Sequence, residues 1–155
     1  NLLQEYFINI GMAKTATSAH EGFDLDYLVK GRDNVVMNKK NQISIAKNVA
    51  INMYDMGYTK PIPKRNIKVL GKQGLGMLYV GADSMLAGGY ISEHDKKIAN
   101  KIANVLCGGE LSQATLVSEQ YLLDLEREAF LSLCGEKKTL ERIQYMLKNG
   151  KPLRN

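Results

Sequence analysis

The chain has 155 residues, 45% of them hydrophobic and 24% charged, with three prolines and a formal net charge of +5. That balance fits one or two folded globular units and excludes a disordered or low-complexity chain. No run approaches the roughly 20 apolar residues of a membrane-spanning helix, and no basic segment leads into an apolar signal core, so a soluble cytoplasmic protein without a membrane partner is expected.

The opening "LLQEYFINIG" runs straight into structure behind Asn1 rather than an initiator methionine, which points to a longer parent. In "KTATSAHEGFDLDYL", Ser18 and Glu21 stand at capping-box spacing, so a short helix begins at Ser18. Ala19, Phe23 and Leu25 give it only a turn or two. "NVVMN" (34–38) is short and β-branched, a strand or an extended link. From Gln42 to Met56, Ile43, Ala46, Val49, Ala50, Met53 and Tyr54 recur at helical spacing, and Gly57 is placed for a left-handed cap. "YTKPIPKRNIKVLGKQGLG" (58–76) mixes prolines, basic residues and glycines, and reads as a connection with a short extended piece at Ile67 to Leu70.

Gly71, Gly74 and Gly76 invite comparison with phosphate-binding loops. No glycine follows Gly76 at three residues, and no Gly-Lys-Ser/Thr is present, so a helix from about Leu75 to Leu86, packed through its small residues and ending at Gly88-Gly89, explains the same letters. Next, Ser92 and Asp95 repeat the capping-box spacing ahead of Ile98, Ala99, Ile102, Ala103, Val105 and Leu106, with Gly108 as the stop. His94 falls in the first turn, where solvent and a cap are expected rather than a substrate, and His20 has no neighbouring ligands.

Near the end, Val117, Tyr121, Leu122, Leu125, Ala129 and Leu133 make one apolar stripe, and Leu123 with Phe130 a second, so this helix should pack on two partners. The interleaved Asp124, Glu126 and Glu128 read as a solvated face. After Gly135, Leu140, Ile143 and Leu147 mark a last amphipathic helix, closed by Gly150 and Pro152. The reading is a mainly α chain of amphipathic helices with at most one or two short strands. It divides into an N-terminal helical segment (1–57), a connection (58–74) and a C-terminal helical subdomain (75–155).

Chemistry-bearing residues are sparse. Cys107 and Cys134 lack CxxC or histidine spacing and read as reduced thiols, and no catalytic or metal-ligating set stands out. The basic residues are spread from Lys39 to Arg154 rather than gathered with aromatics on one helix, which favours a solvated face over nucleic-acid binding.

The stretch "LLDLEREAFLSLCGEKKTLERIQYMLKNGKP" resembles the C-terminal end of the crotonase family, the enoyl-CoA hydratases and isomerases. With "TSAHEGFDLDYL" and "GYISEHDKKIANKIANVLCGG", it also looks like the end of the bacterial multifunctional fatty-acid oxidation proteins, in which an NAD-binding 3-hydroxyacyl-CoA dehydrogenase precedes an enoyl-CoA hydratase portion. The resemblance makes 1–57 the end of a crotonase core and the rest its closing helices. It implies that the oxyanion loop, the catalytic glutamates and the NAD fingerprint lie outside this chain, which alone is inactive and binds no cofactor. Its partners would be the remainder of the parent chain, acyl-CoA and further copies in a homo-oligomer, not nucleic acid. The helices would cover the CoA site and join subunits. Lys148, Lys151 and Arg154 would face phosphates, and Lys151, matching the lysine of the family's Lys-Pro ending, would contact CoA. Met146 and Asn149 stand where single-domain hydratases carry a phenylalanine and a lysine near the adenine. The alternative is a self-contained basic α-helical module that binds nucleic acid or a protein.

Overall fold

A computed structural model describes residues 2–155; Asn1, on which the reading of a longer parent rests, lies outside them. The described residues form α1 (Leu2–Gly11), α2 (Ala19–Asp24), α3 (Gln42–Asp55), β1 (Ile67–Val69), α4 (Lys72–Ala87), α5 (Glu93–Cys107), β2 (Thr115–Val117), α6 (Glu119–Cys134) and α7 (Lys137–Asn149). The chain is mainly α, as its periodicities require, with a single two-stranded sheet among the described residues. Two compact units arise, residues 15–62 and residues 2–14 with 63–155.

In the larger unit α5 is the central element, flanked by α1, α4 and α6. Its stripe becomes core because every third or fourth residue is small or aliphatic. Ala103 and Cys107 are fully buried and join Phe7, Leu75, Leu78 and Ala82 in one cluster. The capping box forms at its start: Ser92 Oγ accepts from the Asp95 N–H at 3.1 Å, and Asp95 Oδ2 accepts from the Ser92 N–H at 3.0 Å. At its end Gly108 adopts φ +76°, the left-handed cap the sequence indicates.

β1 pairs antiparallel with β2, Ile67 opposite Val117 and Val69 opposite Thr115. Val117 therefore belongs to a strand and not to the α6 stripe, since Ser118 caps α6 by accepting from the Tyr121 N–H at 3.1 Å. After β1 two glycines stand where a side chain would not fit. Gly71 has φ +60°, and a Cβ there would sit 2.3 Å from Leu111 O. A Cβ on Gly74 would lie 3.0 Å from Cys107 Sγ. α4 begins at Lys72, three residues ahead of the expected start, because the Lys72 N–H donates to Leu111 O at 2.8 Å and Gly71 N–H to Cys107 O at 2.9 Å. These amides are occupied by backbone, so the glycine run serves close packing and not a phosphate.

α6 packs on α5 and touches α7, but its first apolar stripe is only partly covered, with Leu122, Leu125, Ala129 and Leu133 half-buried, and the second is not: Leu123 and Phe130 stay 45% and 56% exposed. The apolar stripe of α7 also faces outward, with Leu147 83% exposed, while the polar Thr139 is buried. That inversion is the main departure from a periodicity-based reading of this unit. Asp124, Glu126 and Glu128 are exposed, as a solvated face should be.

In the smaller unit Ser18 Oγ accepts from the Glu21 N–H at 3.1 Å and starts α2. The Glu21 carboxylate accepts instead from the Thr17 N–H and hydroxyl, so only half of the expected box forms. Gly22 is buried beneath Leu28, whose Cδ1 lies 3.1 Å from where a Cβ would stand. The 34–38 stretch forms no strand: among the described residues no segment pairs with it, and Met37 is 94% exposed. α3 spans the expected residues, and Gly57 takes φ +76°, yet none of its residues is buried.

Candidate functional site

The densest polar cluster lies where the C-terminal tail returns to the start of α5. Gly150, at φ +64°, stops α7 and turns the chain back. Asp95, already fixed by the capping box, has its Oδ1 free for longer-range partners, and two guanidinium groups take it. Arg142 Nη1 donates to Asp95 Oδ1 at 2.7 Å and Arg154 Nη1 donates to the same oxygen at 3.1 Å. Arg142 is otherwise spent on the last residue: its Nε donates to Asn155 Oδ1 at 2.7 Å and its Nη2 to Asn155 O at 3.1 Å. Asn155 Nδ2 in turn donates to Glu141 Oε2 at 2.8 Å. The single Ser92 hydroxyl proton has two acceptors, Asp95 Oδ2 and Asn155 O.

The carboxyl of Asp95 and the guanidinium of Arg142 are only 12% and 15% exposed. Burial by itself would raise the Asp95 pKa, but the Ser92 donors and the Arg142 guanidinium outweigh it and hold the carboxyl well below the usual carboxylate range. Arg154 differs from Arg142 in being half exposed and in making its one ion pair through Nη1.

Beside this clasp, His94 is buried, and its Nε2 lies 2.9 Å from Thr139 Oγ1 of α7. The expectation of a solvated first-turn histidine is thereby corrected: α7 lies over that face of α5. Burial, and then the positive charge of Arg142, depress the His94 pKa. An ion pair between Lys97 and Glu136 adds a further tie from α5 to the start of α7.

Beneath the tail is a cavity of about 220 Å³, lined chiefly by apolar side chains including Phe7, Met12, Met85, Ile98, Met146 and Leu153. Asp95, Arg142 and Arg154 edge it. A second, more polar recess adjoins it, sharing Met12, Ile91, Asp95 and Arg154.

The chain is similar to a probable 3-hydroxyacyl-CoA dehydrogenase of Bacillus subtilis (strain 168), with 46% identity over all 155 residues. It spans 19% of that protein's length. No protein-family model matches the chain, and no solved structure matches it.

Lys151, singled out for CoA contact, is exposed just after Gly150 and lies outside the cavity lining, as does the exposed Lys148. Of the three basic residues of the ending, only Arg154 turns inward to the clasp. His20 is exposed on α2. Among the described residues no three of histidine, cysteine, aspartate and glutamate gather as a metal ion would need, and no helix is long and apolar enough to cross a membrane. Sequence reasoning found Asp95 as a capping residue but missed Arg142 and Asn155. The only available signal was an arginine inside an otherwise amphipathic helix, and nothing in its spacing names a partner 47 residues away.

Proposed function

We propose that this chain is the closing helical part of a fatty-acid β-oxidation enzyme, a 3-hydroxyacyl-CoA dehydrogenase joined to a crotonase-type enoyl-CoA hydratase, and that it covers the CoA site and joins subunits without catalysing alone. The observation that carries the reading is the 46% identity along the whole chain to a segment of a probable 3-hydroxyacyl-CoA dehydrogenase. The uncovered apolar residues of α6 and α7, Phe130 and Leu147 among them, suit helices that meet further protein, either the rest of the parent or a second copy. Lys151, exposed beside the left-handed turn, would approach a CoA phosphate. NAD would belong to the dehydrogenase portion; the glycine run here does not fit it, because the Gly71 and Lys72 amides already donate to Cys107 O and Leu111 O.

The test is the intact mass of the gene product, followed by enoyl-CoA hydration and NAD-dependent 3-hydroxyacyl-CoA oxidation assays on that product and on the 155-residue chain. Activity confined to a longer product is expected. In that product Lys151→Ala should raise KM for CoA thioesters several-fold while leaving pantetheine thioesters, which lack the nucleotide phosphates, unaffected. If no longer product exists and the chain instead binds duplex DNA with steep salt dependence, the basic interaction module replaces this reading.

A further inference from the structure

We infer that Asn149-Gly150 is a self-modification site, at which the chain closes a succinimide on itself and opens it to aspartate and isoaspartate, and that the clasp at the chain end gates the reaction. The inference does not rest on the proposed function, since it needs no acyl-CoA and no second domain.

The sequence supplies the reacting pair. Asn149 is the only asparagine of the chain followed by glycine. With no Cβ on the following residue, the backbone nitrogen of Gly150 can come within bonding reach of the Asn149 side-chain carbonyl carbon, Cγ. The step balances with water alone. Gly150 N gives up its proton and bonds to Cγ, the bond from Cγ to Nδ2 breaks, and Nδ2 leaves with that proton as ammonia. Water then opens either ring carbonyl, giving aspartate or an isoaspartate whose main chain runs through the former side chain.

The structure shows what holds the pair apart. Asn149 ends α7, and its Nδ2 donates to Tyr145 O at 3.0 Å, so its side chain lies back along the helix and away from Gly150 N. The Gly150 N–H is itself spent on Met146 O at 2.8 Å. Nucleophile and leaving group are thus both tied to the last turn, and the ring closes only when that turn opens. Both residues are exposed, and nothing lies within 4 Å of where a Gly150 Cβ would stand, so side-chain packing does little to hold the turn. The returning tail holds it instead. Asn155 is bound to Glu141 and Arg142 of α7 and to Ser92 at the start of α5, and Arg154 is bound to Asp95.

The product works against the same clasp. A carboxylate at position 149 sits at the negative end of the α7 dipole, between the exposed Lys148 and Lys151, which offset it in part. Isoaspartate also lengthens the main chain by one methylene immediately before Gly150, whose φ of +64° turns the tail back. The reaction is therefore a one-way release of the clasp.

The test follows the folded gene product in mildly alkaline buffer, beside a synthetic peptide of residues 144–153. Peptide masses and electron-transfer fragmentation read each asparagine and tell aspartate from isoaspartate. Asn149 should convert ahead of every other asparagine, and roughly tenfold more slowly in the folded protein than in the peptide, the margin set by opening a helix end. Arg154→Gln combined with Asn155→Ala should speed conversion severalfold. Tyr121→Phe, which weakens the fold away from the tail, should leave the rate unchanged, and thermal melts confirm that both variants fold. Once converted, the protein should show faster amide hydrogen exchange over 137–155 and unchanged exchange over 98–107. Asn149→Asp, which adds the charge without the methylene, should show a smaller part of that change, and Asn149→Gln neither conversion nor release. The proposal is overturned if Asn149 converts no faster than the other asparagines, if protein and peptide convert at one rate, if the loosened clasp makes no difference, or if the converted protein keeps its exchange pattern.

Discussion

Asp95 and Arg142, 47 residues apart in the chain, meet through a 2.7 Å hydrogen bond that ties the first turn of α5 to the middle of α7. The same carboxylate completes a capping box, so one side chain both starts a helix and fastens another to it. Removing it would leave a guanidinium that is 15% exposed without its ion-pair partner, held only by Asn155. Asp95→Ala should therefore lower unfolding stability by about 3 kcal/mol or more, the cost typical of breaking a buried pair from one side. Arg142→Met, which removes the charge but keeps the stem, combined with Asp95→Asn should cost less than the sum of the two single changes. Urea titration of the four proteins gives the coupling directly.

Acid sensitivity should follow from the same carboxyl. Its folded-state pKa is depressed, so the stabilisation is present above the unfolded value of about 3.9 and is lost as pH falls through and below it. Denaturation midpoints measured from pH 6 to pH 2.5 should drop steeply below about pH 4, and Asp95→Asn should flatten that limb.

His94 should add a second and separate slope. Its pKa is lowered by burial and by Arg142, so the unfolded chain takes up the proton first, and stability falls as pH drops through about 6.5 toward the depressed folded value. His94→Gln should remove the dependence that sets in below about pH 7 while leaving the Asp95 limb in place. A slope unchanged in that variant would refute the assignment.

The glycines should divide sharply. Gly71→Ala places a Cβ 2.3 Å from a backbone oxygen at φ +60°, and neither the backbone nor a rotamer can relieve that contact. Its cost should exceed about 3 kcal/mol or prevent folding. Gly76→Ala, inside α4 with nothing near the added methyl, should stabilise by about 0.5–1 kcal/mol. Thermal melts of the two variants suffice to compare them.

Tyr121 offers a milder test. Its hydroxyl donates to Gly108 O at 2.9 Å and links α6 to the cap of α5. Tyr121→Phe should cost about 1 kcal/mol in urea denaturation, the net worth of one such hydrogen bond.

Local rules made much of this chain legible in its letters. The Ser18 and Ser92 caps, the left-handed Gly57 and Gly108 and the span of α3 follow from spacing and backbone sterics, which act over four residues or fewer. Tertiary structure decided what spacing leaves open. Val117 became a strand residue because Ile67 supplies a partner 50 positions earlier, whereas "NVVMN" found none. The outward turn of Leu140, Ile143 and Leu147 was decided by Arg142 and Thr139, whose charge and hydroxyl find Asp95 and His94 on α5. A helix's periodicity states that it has two faces; only the groups waiting on its neighbour settle which one is buried. The cavity under the tail has the same origin, since it exists only where α1, α4, α5, α7 and the returning chain end enclose a space that no local pattern records.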